Sequence, residues 1–179
     1  HNFKPAVIFE AANVLVVDGT GDTAGTTAGL GNLIVGYDEG TSDPVDVKTG
    51  SHNLVVGAEH TYTSYGGLVA GYNNNVTETY ASVSGGIENT ASGPQSSVSG
   101  GYENTASGVE SSVSGGKTNT ASGSRTSVSG GGLNTASDDR SSVSGGYNST
   151  ASEQYSSVSG GRGHTALGLY SSVSGGNSN

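Results

Sequence analysis

Along most of this chain the apolar residues of the repeated positions come singly. A valine stands between two serines, two glycines follow, and a polar stretch holding one alanine completes the pattern. Ser-Val-Ser-Gly-Gly occurs seven times, centred on Val83, Val98, Val113, Val128, Val143, Val158 and Val173, each fifteen positions after the last. Between these, Asn-Thr-Ala-Ser recurs at Asn89, Asn104, Asn119 and Asn134, with weaker copies beginning at Ser149 and His164. Upstream the unit is more apolar and one position shorter. Leu68-Val69-Ala70-Gly71 places Val69 one such shorter step before Val83, and Leu54-Val55-Val56-Gly57 places Val55 one more before that. Leu33-Ile34-Val35-Gly36 is a further copy, but the step from Ile34 to Val55 is longer by six or seven positions, an insertion within about 38–49. Ten coils run from Ile34 to Val173.

Neither half of the unit has helical periodicity, and Gly, Ser, Thr and Val all disfavour helix. Each unit instead holds two short alternating stretches, Ser-Val-Ser and Thr-Ala-Ser, each bounded by glycine or polar turn residues. Repeats of this length read as solenoids, in which each strand lies beside its copy in the next coil, about 4.8 Å away. The expected fold is therefore all-β: a parallel β-solenoid or β-roll of 14–15-residue coils with two short strands per coil. The chain divides into capping strands and a loop over residues 1–30, the roll over 31–176, and a truncated end over 177–179.

Composition sharpens this picture. Hydrophobic residues make up only 31% of the chain and glycine contributes 32 of its 179 residues, with no Trp, Met or Cys. A thick core or a helix bundle is thereby excluded, and so are disulfides and thiolate metal sites. One Val and one Ala per coil weigh lightly against backbone ordering at about 1–2 kcal/mol per residue. Self-association that buries a second face is the simplest remedy, and small Ser, Ala and Gly side chains permit the close approach. The net charge of −9 disfavours nucleic acid and anionic membranes as partners. No run approaches the ~18 apolar residues of a membrane span. The start at His1 is expected of an excised piece of something longer.

The recurring Ser-Val-x-x-Gly and Ala-Ser-Gly with Ser, at this coil length, resembles the YadA-like head of trimeric autotransporter adhesins, from about Leu30 to Gly176. The resemblance implies a left-handed parallel β-roll, three of which pack into a homotrimer that binds a surface protein or glycan. It also implies an extracellular or cell-surface location. Strands of that family carry alternate aliphatics, as Leu54 and Val56 do, whereas the later coils read Ser-Val-Ser-Gly-Gly. Either glycine of the pair can match the family glycine. One choice turns Val83 into the roll and the other turns it toward the trimer axis. Nothing after Gly176 resembles the family's neck, stalk or anchor. A receptor-binding or fibre segment of a phage tail-like appendage is therefore a second reading. An ice-binding solenoid is a third, because Thr90, Thr105, Thr120, Thr135, Thr150 and Thr165 form a column beside one of Ser.

Little points to chemistry. No nucleophile motif, Walker loop or Rossmann fingerprint is present, and no enzyme activity or cofactor is expected. His52 and His60 flank a strand and read as exposed turn residues in preference to metal ligands. His164, standing in an Asn column, reads as solvated or as part of a ladder. Asp18-Gly-Thr-Gly-Asp22 lacks the ordered spacing of a calcium loop and reads as a turn. Pro5 to Val17, the most hydrophobic stretch, is expected to form one or two strands capping the first coils.

The repeats also separate scaffold from display. The Val, Ser, Gly, Thr and Ala columns hold the stack, while two windows per coil vary freely. These windows hold most of the aromatic and charged residues of the repeats. Tyr102, Lys117, Arg125, Arg140, Tyr147, Tyr155, Arg162 and Tyr170 are the candidate surface contacts, and exposed Tyr and Arg are types enriched at binding hot spots. Asp38, Glu39, Asp43 and Asp46 in the insertion form a second candidate group, an acidic loop on a rigid scaffold.

Overall fold

The computed structural model describes residues 7, 9–40 and 47–177. They form short parallel strands and no helix. The series begins with β1 (Leu33–Val35), β2 (Leu54–Ala58), β3 (Thr61–Tyr62), β4 (Leu68–Tyr72) and β5 (Asn75–Val76). From β6 (Ser82–Val83) and β7 (Thr90–Ala91) onward, Ser-Val and Thr-Ala strands alternate through to β17 (Thr165–Ala166) and β18 (Ser172–Val173). Strand β1 and the even-numbered strands make a 10-stranded sheet, and the odd-numbered strands from β3 to β17 make an 8-stranded one. The chain is thus a parallel β-solenoid of about eight turns, with two strands per turn. At ~4.8 Å per coil the ten-stranded sheet is about 43 Å long.

Each repeat pairs with itself one coil on: Val83 with Val98, Val98 with Val113, Ala91 with Ala106. The valine column from Val83 to Val158 and the alanine column from Ala91 to Ala166 are almost wholly buried within the single chain. The valines therefore line the roll. The serines on either side of each valine lie on its outer face, as do Leu33, Val35 and Leu54 at the apolar end.

The glycine pair is resolved by the same register. Gly57 pairs with Gly71. A Cβ on Gly71 would collide with the carbonyl oxygen of Gly86, and one on Gly86 with that of Gly101. The second glycine of each pair thus continues the older glycine column. The first, such as Gly85, is the additional residue that lengthens the later coils by one.

Two expectations concern the N-terminal end, and residues 1–6, 8 and 41–46 lie outside the described residues. Among the described residues of the hydrophobic segment before Asp18 no strand forms, and β1 is the first strand of its sheet. What ties this end down is the stretch after the loop. Gly29 donates its N–H to the carbonyl of Thr49, Leu33 to that of Asn53, and Ala28 to the Ser51 hydroxyl. Ladder bonds satisfy the backbone there without a further strand. Glu39 accepts the N–H of Glu59, and Val47 accepts that of Tyr62, so both flanks of the insertion already follow the coil.

Candidate functional site

The interior is not purely apolar. A file of buried polar side chains runs beside the Val and Ala columns: Asp38, His60, Asn74, Asn89, Asn104, Asn119, Asn134, Ser149 and His164. In the asparagine stretch each side-chain carbonyl accepts the backbone N–H of the next member. The distances are 2.8 Å from Asn89 to Asn74 and 2.9 Å from Asn119 to Asn104. From Asn89 to Asn134 each Nδ2 donates to glycine carbonyls of its own and the following coil; for Asn119 these are Gly115 and Gly131. The ladder accounts for the Asn column and gives His164 its buried place. His60, read from sequence as an exposed turn residue, is fully buried; its Nδ1 accepts the N–H of Asn74 at 3.2 Å.

Asp38 does not project, contrary to the expectation for the acidic loop. It is only 6% exposed, because it fills the first position of this ladder. Its Oδ1 accepts the His60 N–H and its Oδ2 lies 3.1 Å from Lys48 Nζ. Lys48 also donates to the Asp38 carbonyl. Burial, together with the charge of Asp38 and a hydrogen bond to it, pushes the Tyr62 phenol up to about 12. Of the other acidic candidates, Glu39 is exposed, while Asp43 and Asp46 lie outside the described residues.

The eight repeat candidates all lie on the surface, in two rows along the rod. The first row is itself a ladder of parallel bridges: Tyr72, Ile87, Tyr102, Lys117, Gly132, Tyr147, Arg162 and Asn177. Lys117 Nζ stands 5.2 Å from the Tyr102 ring centre, and the Arg162 guanidinium 5.6 Å from that of Tyr147. Hydrogen bonding to Glu103, with its charge, pushes the Tyr102 phenol to about 12. The second row includes Gln95, Glu110, Arg125, Arg140, Tyr155 and Tyr170, every one with φ between 55° and 59°. These are left-handed conformations for non-glycine residues, and the cross-coil bonds of the turn hold them there; the N–H of Arg125, for example, bonds the Val109 carbonyl.

Within the second row Asp139 is the hub. It lies 2.9 Å from Arg125 and 2.7 Å from Arg140, and Gln154 donates to it at 3.2 Å. The Gln154 hydrogen bond, followed by Arg125 and Arg140, holds the Asp139 carboxyl below its usual range. Arg140 continues to the Tyr155 hydroxyl at 2.8 Å, and Tyr155 stacks on Tyr170 with ring centres 4.9 Å apart. Asp139 was not among the candidates. Its place beside Arg140, and one coil on from Arg125, was a signal available in the sequence. The buried Ser96, Thr126, Ser141 and Ser156 were also missed; their hydroxyls close the second turn from inside, as when Ser96 Oγ accepts the Gly93 N–H at 3.2 Å.

The Asp18 turn folds as expected, with Thr20 donating its N–H and hydroxyl to Asp18 Oδ1 at 2.9 and 2.7 Å. Those bonds, led by the backbone one, hold the Asp18 carboxyl below its usual range. His52 turns toward it at 3.6 Å, closing one side of a cavity of about 290 Å³. No cluster of three or more metal-ligating side chains occurs among the described residues. Nor do those residues form a helix long and apolar enough to cross a membrane. Fold and surface together define a β-solenoid repeat protein with two turn rows displayed on a near-constant stack. No protein-family model matches the chain, and no curated protein matches it in sequence.

Proposed function

We propose that this chain is a non-enzymatic, trimeric head module of the YadA-like kind, displayed on a cell or particle surface and adhering through its turn rows. The observation that carries the reading is the division of labour within each coil. Interior positions repeat with almost no change, while Tyr, Lys and Arg gather at exposed turns that sit at fixed ~4.8 Å steps on a rigid rod. Trimer formation is supported by the outer face of the longer sheet. Leu33, Val35 and Leu54 are 39–54% exposed there, Leu68 and Ala70 follow, and from Ser82 onward the face presents only serine, small enough for close packing. Light scattering of the purified chain, with solid-phase adhesion to matrix proteins and glycans, tests both parts. A folded monomer at micromolar concentration overturns the trimer, and adhesion unaffected by Tyr102→Ala, Tyr147→Ala and Tyr170→Ala together overturns the role of the rows. A phage-type fibre segment would share this physics.

One observation favours a second reading. The outer face of the shorter sheet carries Thr and Ser two residues apart in each coil, from Thr90 and Ser92 to Thr150 and Ser152. Such a flat hydroxyl lattice suits ice. Thermal hysteresis in dilute solution would support that reading, and its absence would remove it.

A further inference from the structure

The first turn row is interrupted once. Between Tyr72 and Asn177 each bridging residue carries a side chain except Gly132. The gap opens a cavity of about 380 Å³ walled by Lys117, Thr118, Leu133 and Tyr147, within the range of small-ligand sites. We propose that this notch holds one residue of an acidic glycan. The sugar's C–H face lies on Tyr147 and its carboxylate or sulfate meets Lys117. This rests on the adhesive reading above and adds its ligand class and contact point.

Charge is the first argument. Arg125 and Arg140 are both neutralised by Asp139, but among the described residues no ion pair to a carboxylate is formed by Lys117 or Arg162. Lys117 lines the notch, and Arg162 stands against the Tyr147 ring one coil beyond it. Where earlier coils carry Glu88 and Glu103 beside the row, the coils from Lys117 onward carry Thr118, Leu133, Asn148 and Gly163. Glu103, one coil away, is held by the Thr118 hydroxyl at 3.2 Å. An anion entering here meets Lys117, and the one carboxylate beside the notch, Glu103, is drawn to the Thr118 hydroxyl on its wall.

Shape is the second. A Cβ on Gly132 would come within 3.3 Å of the Tyr147 ring, so the glycine leaves room against that ring which any other residue would fill. Lys117 and Tyr147 are two coils apart, about 9.6 Å, which leaves one coil's width for a flat ring. A peptide strand has no backbone to pair with there, because the row's own bridges join Lys117 to Gly132 and Gly132 to Tyr147. Tyrosine faces with an adjacent cation suit a pyranose bearing an acid group.

The test titrates the full chain by NMR at low salt with tetragalacturonate, its methyl ester, a heparin-derived tetrasaccharide and tetraglutamate. At least one acidic sugar should bind at sub-millimolar Kd, with the ester and the peptide at least tenfold weaker. Gly132→Ile, which installs the residue found at Ile87, and the exposed change Lys117→Gln should each weaken binding tenfold or more. Glu10→Gln, an exposed change outside both rows, should not. Equal binding of peptide or ester, or full binding by Lys117→Gln, overturns the site; so does full binding by a folded Gly132→Ile. If neither acidic sugar binds while the chain still adheres through its turn rows, the glycan assignment falls and the adhesive reading stands. If adhesion itself is absent, the adhesive reading falls first.

Discussion

Gly145 and Gly146 are neighbours with the same side chain, and alanine should affect them oppositely. Gly146 holds φ at +95°, and a Cβ there would overlap the Gly161 carbonyl oxygen and stand 2.9 Å from the Gly161 nitrogen. Both are backbone atoms of the next coil, bound into the ladder, so neither can turn aside. The left-handed conformation costs an L-residue about 1–2 kcal/mol. Prising two coils apart adds about 1–3 kcal/mol, the usual range for overpacking. Gly146→Ala should therefore cost about 2–5 kcal/mol. Gly145 has nothing within 4 Å of its added Cβ. Alanine there should be neutral, or stabilise by up to ~1 kcal/mol through the unfolded chain. At ~2–4 °C per kcal/mol for a chain of this size, the two melting temperatures should differ by roughly 4–24 °C. Circular dichroism melts at matched concentration, with the oligomeric mass checked, measure it. Equal losses at the two positions would refute the idea that coil-to-coil approach, and not the turn as a whole, demands glycine.

Three further outcomes follow from the same geometry. Val113→Asp should abolish folding or cost at least ~3 kcal/mol, because an unpaired charge would be buried in the stack, while Tyr102→Ala should leave melting nearly unchanged; similar melting losses for the two would show the columns misassigned. Asn119→Ala leaves the buried N–H of Asn134 and the carbonyl of Gly115 short of a partner, at about 1–3 kcal/mol for each orphaned group, and a melting point within about 2 °C of the parent would contradict the ladder's importance. Tyr62 keeps its proton in the folded state up to about pH 12 against 10 when unfolded, so the stability it contributes is intact below pH 10 and is lost between pH 10 and 12. Tyr62→Phe should lose less stability than the parent across that interval, and parallel losses would rule out Tyr62 as a source.

Much of the fold was legible because a solenoid writes its coil length into the sequence. Val83, Val98 and Val113 at equal spacing can only stack, and they do. Which way they faced was not legible. Alternation fixes relative faces but not which of them is inside, and the glycine pair admitted two alignments until Gly71 and Gly86 were seen to stack. The interior role of Asn89 and its copies was hidden for a different reason. Asn shortly after a glycine pair and beside polar residues reads as part of an exposed turn, and only the third dimension shows its amide satisfied by backbone on three sides. Asp38 misled in the same way, since Asp-Glu-Gly reads as a polar loop when Lys48 and Tyr62 cannot be placed around it. The display windows were legible because residues that vary while their neighbours repeat have escaped the stacking constraint.

A stack of near-identical coils has a register problem that its valines cannot solve. Sliding one coil past its neighbour by a single residue would expose every valine, so that error is strongly disfavoured. Sliding by a whole coil is not, because the next unit offers the same Val, Ala and Asn. Discrimination must come from coils that differ inside. Among the described residues Asp38 is the one carboxylate of the buried polar file, and Lys48, Tyr62 and the His60 N–H are gathered around it. A whole-coil slip would separate that carboxylate from its lysine and leave it in a file of amides, and breaking a buried pair in this way costs about 3–5 kcal/mol. The shorter coils at the same end act in the same sense, since only they lack the additional glycine and cannot stack out of place without a gap. The featureless middle of the rod can then be read as a consequence. Once the first coils are fixed in register by charge and by length, each later coil needs only to copy the one before it, and its turns are left free to change.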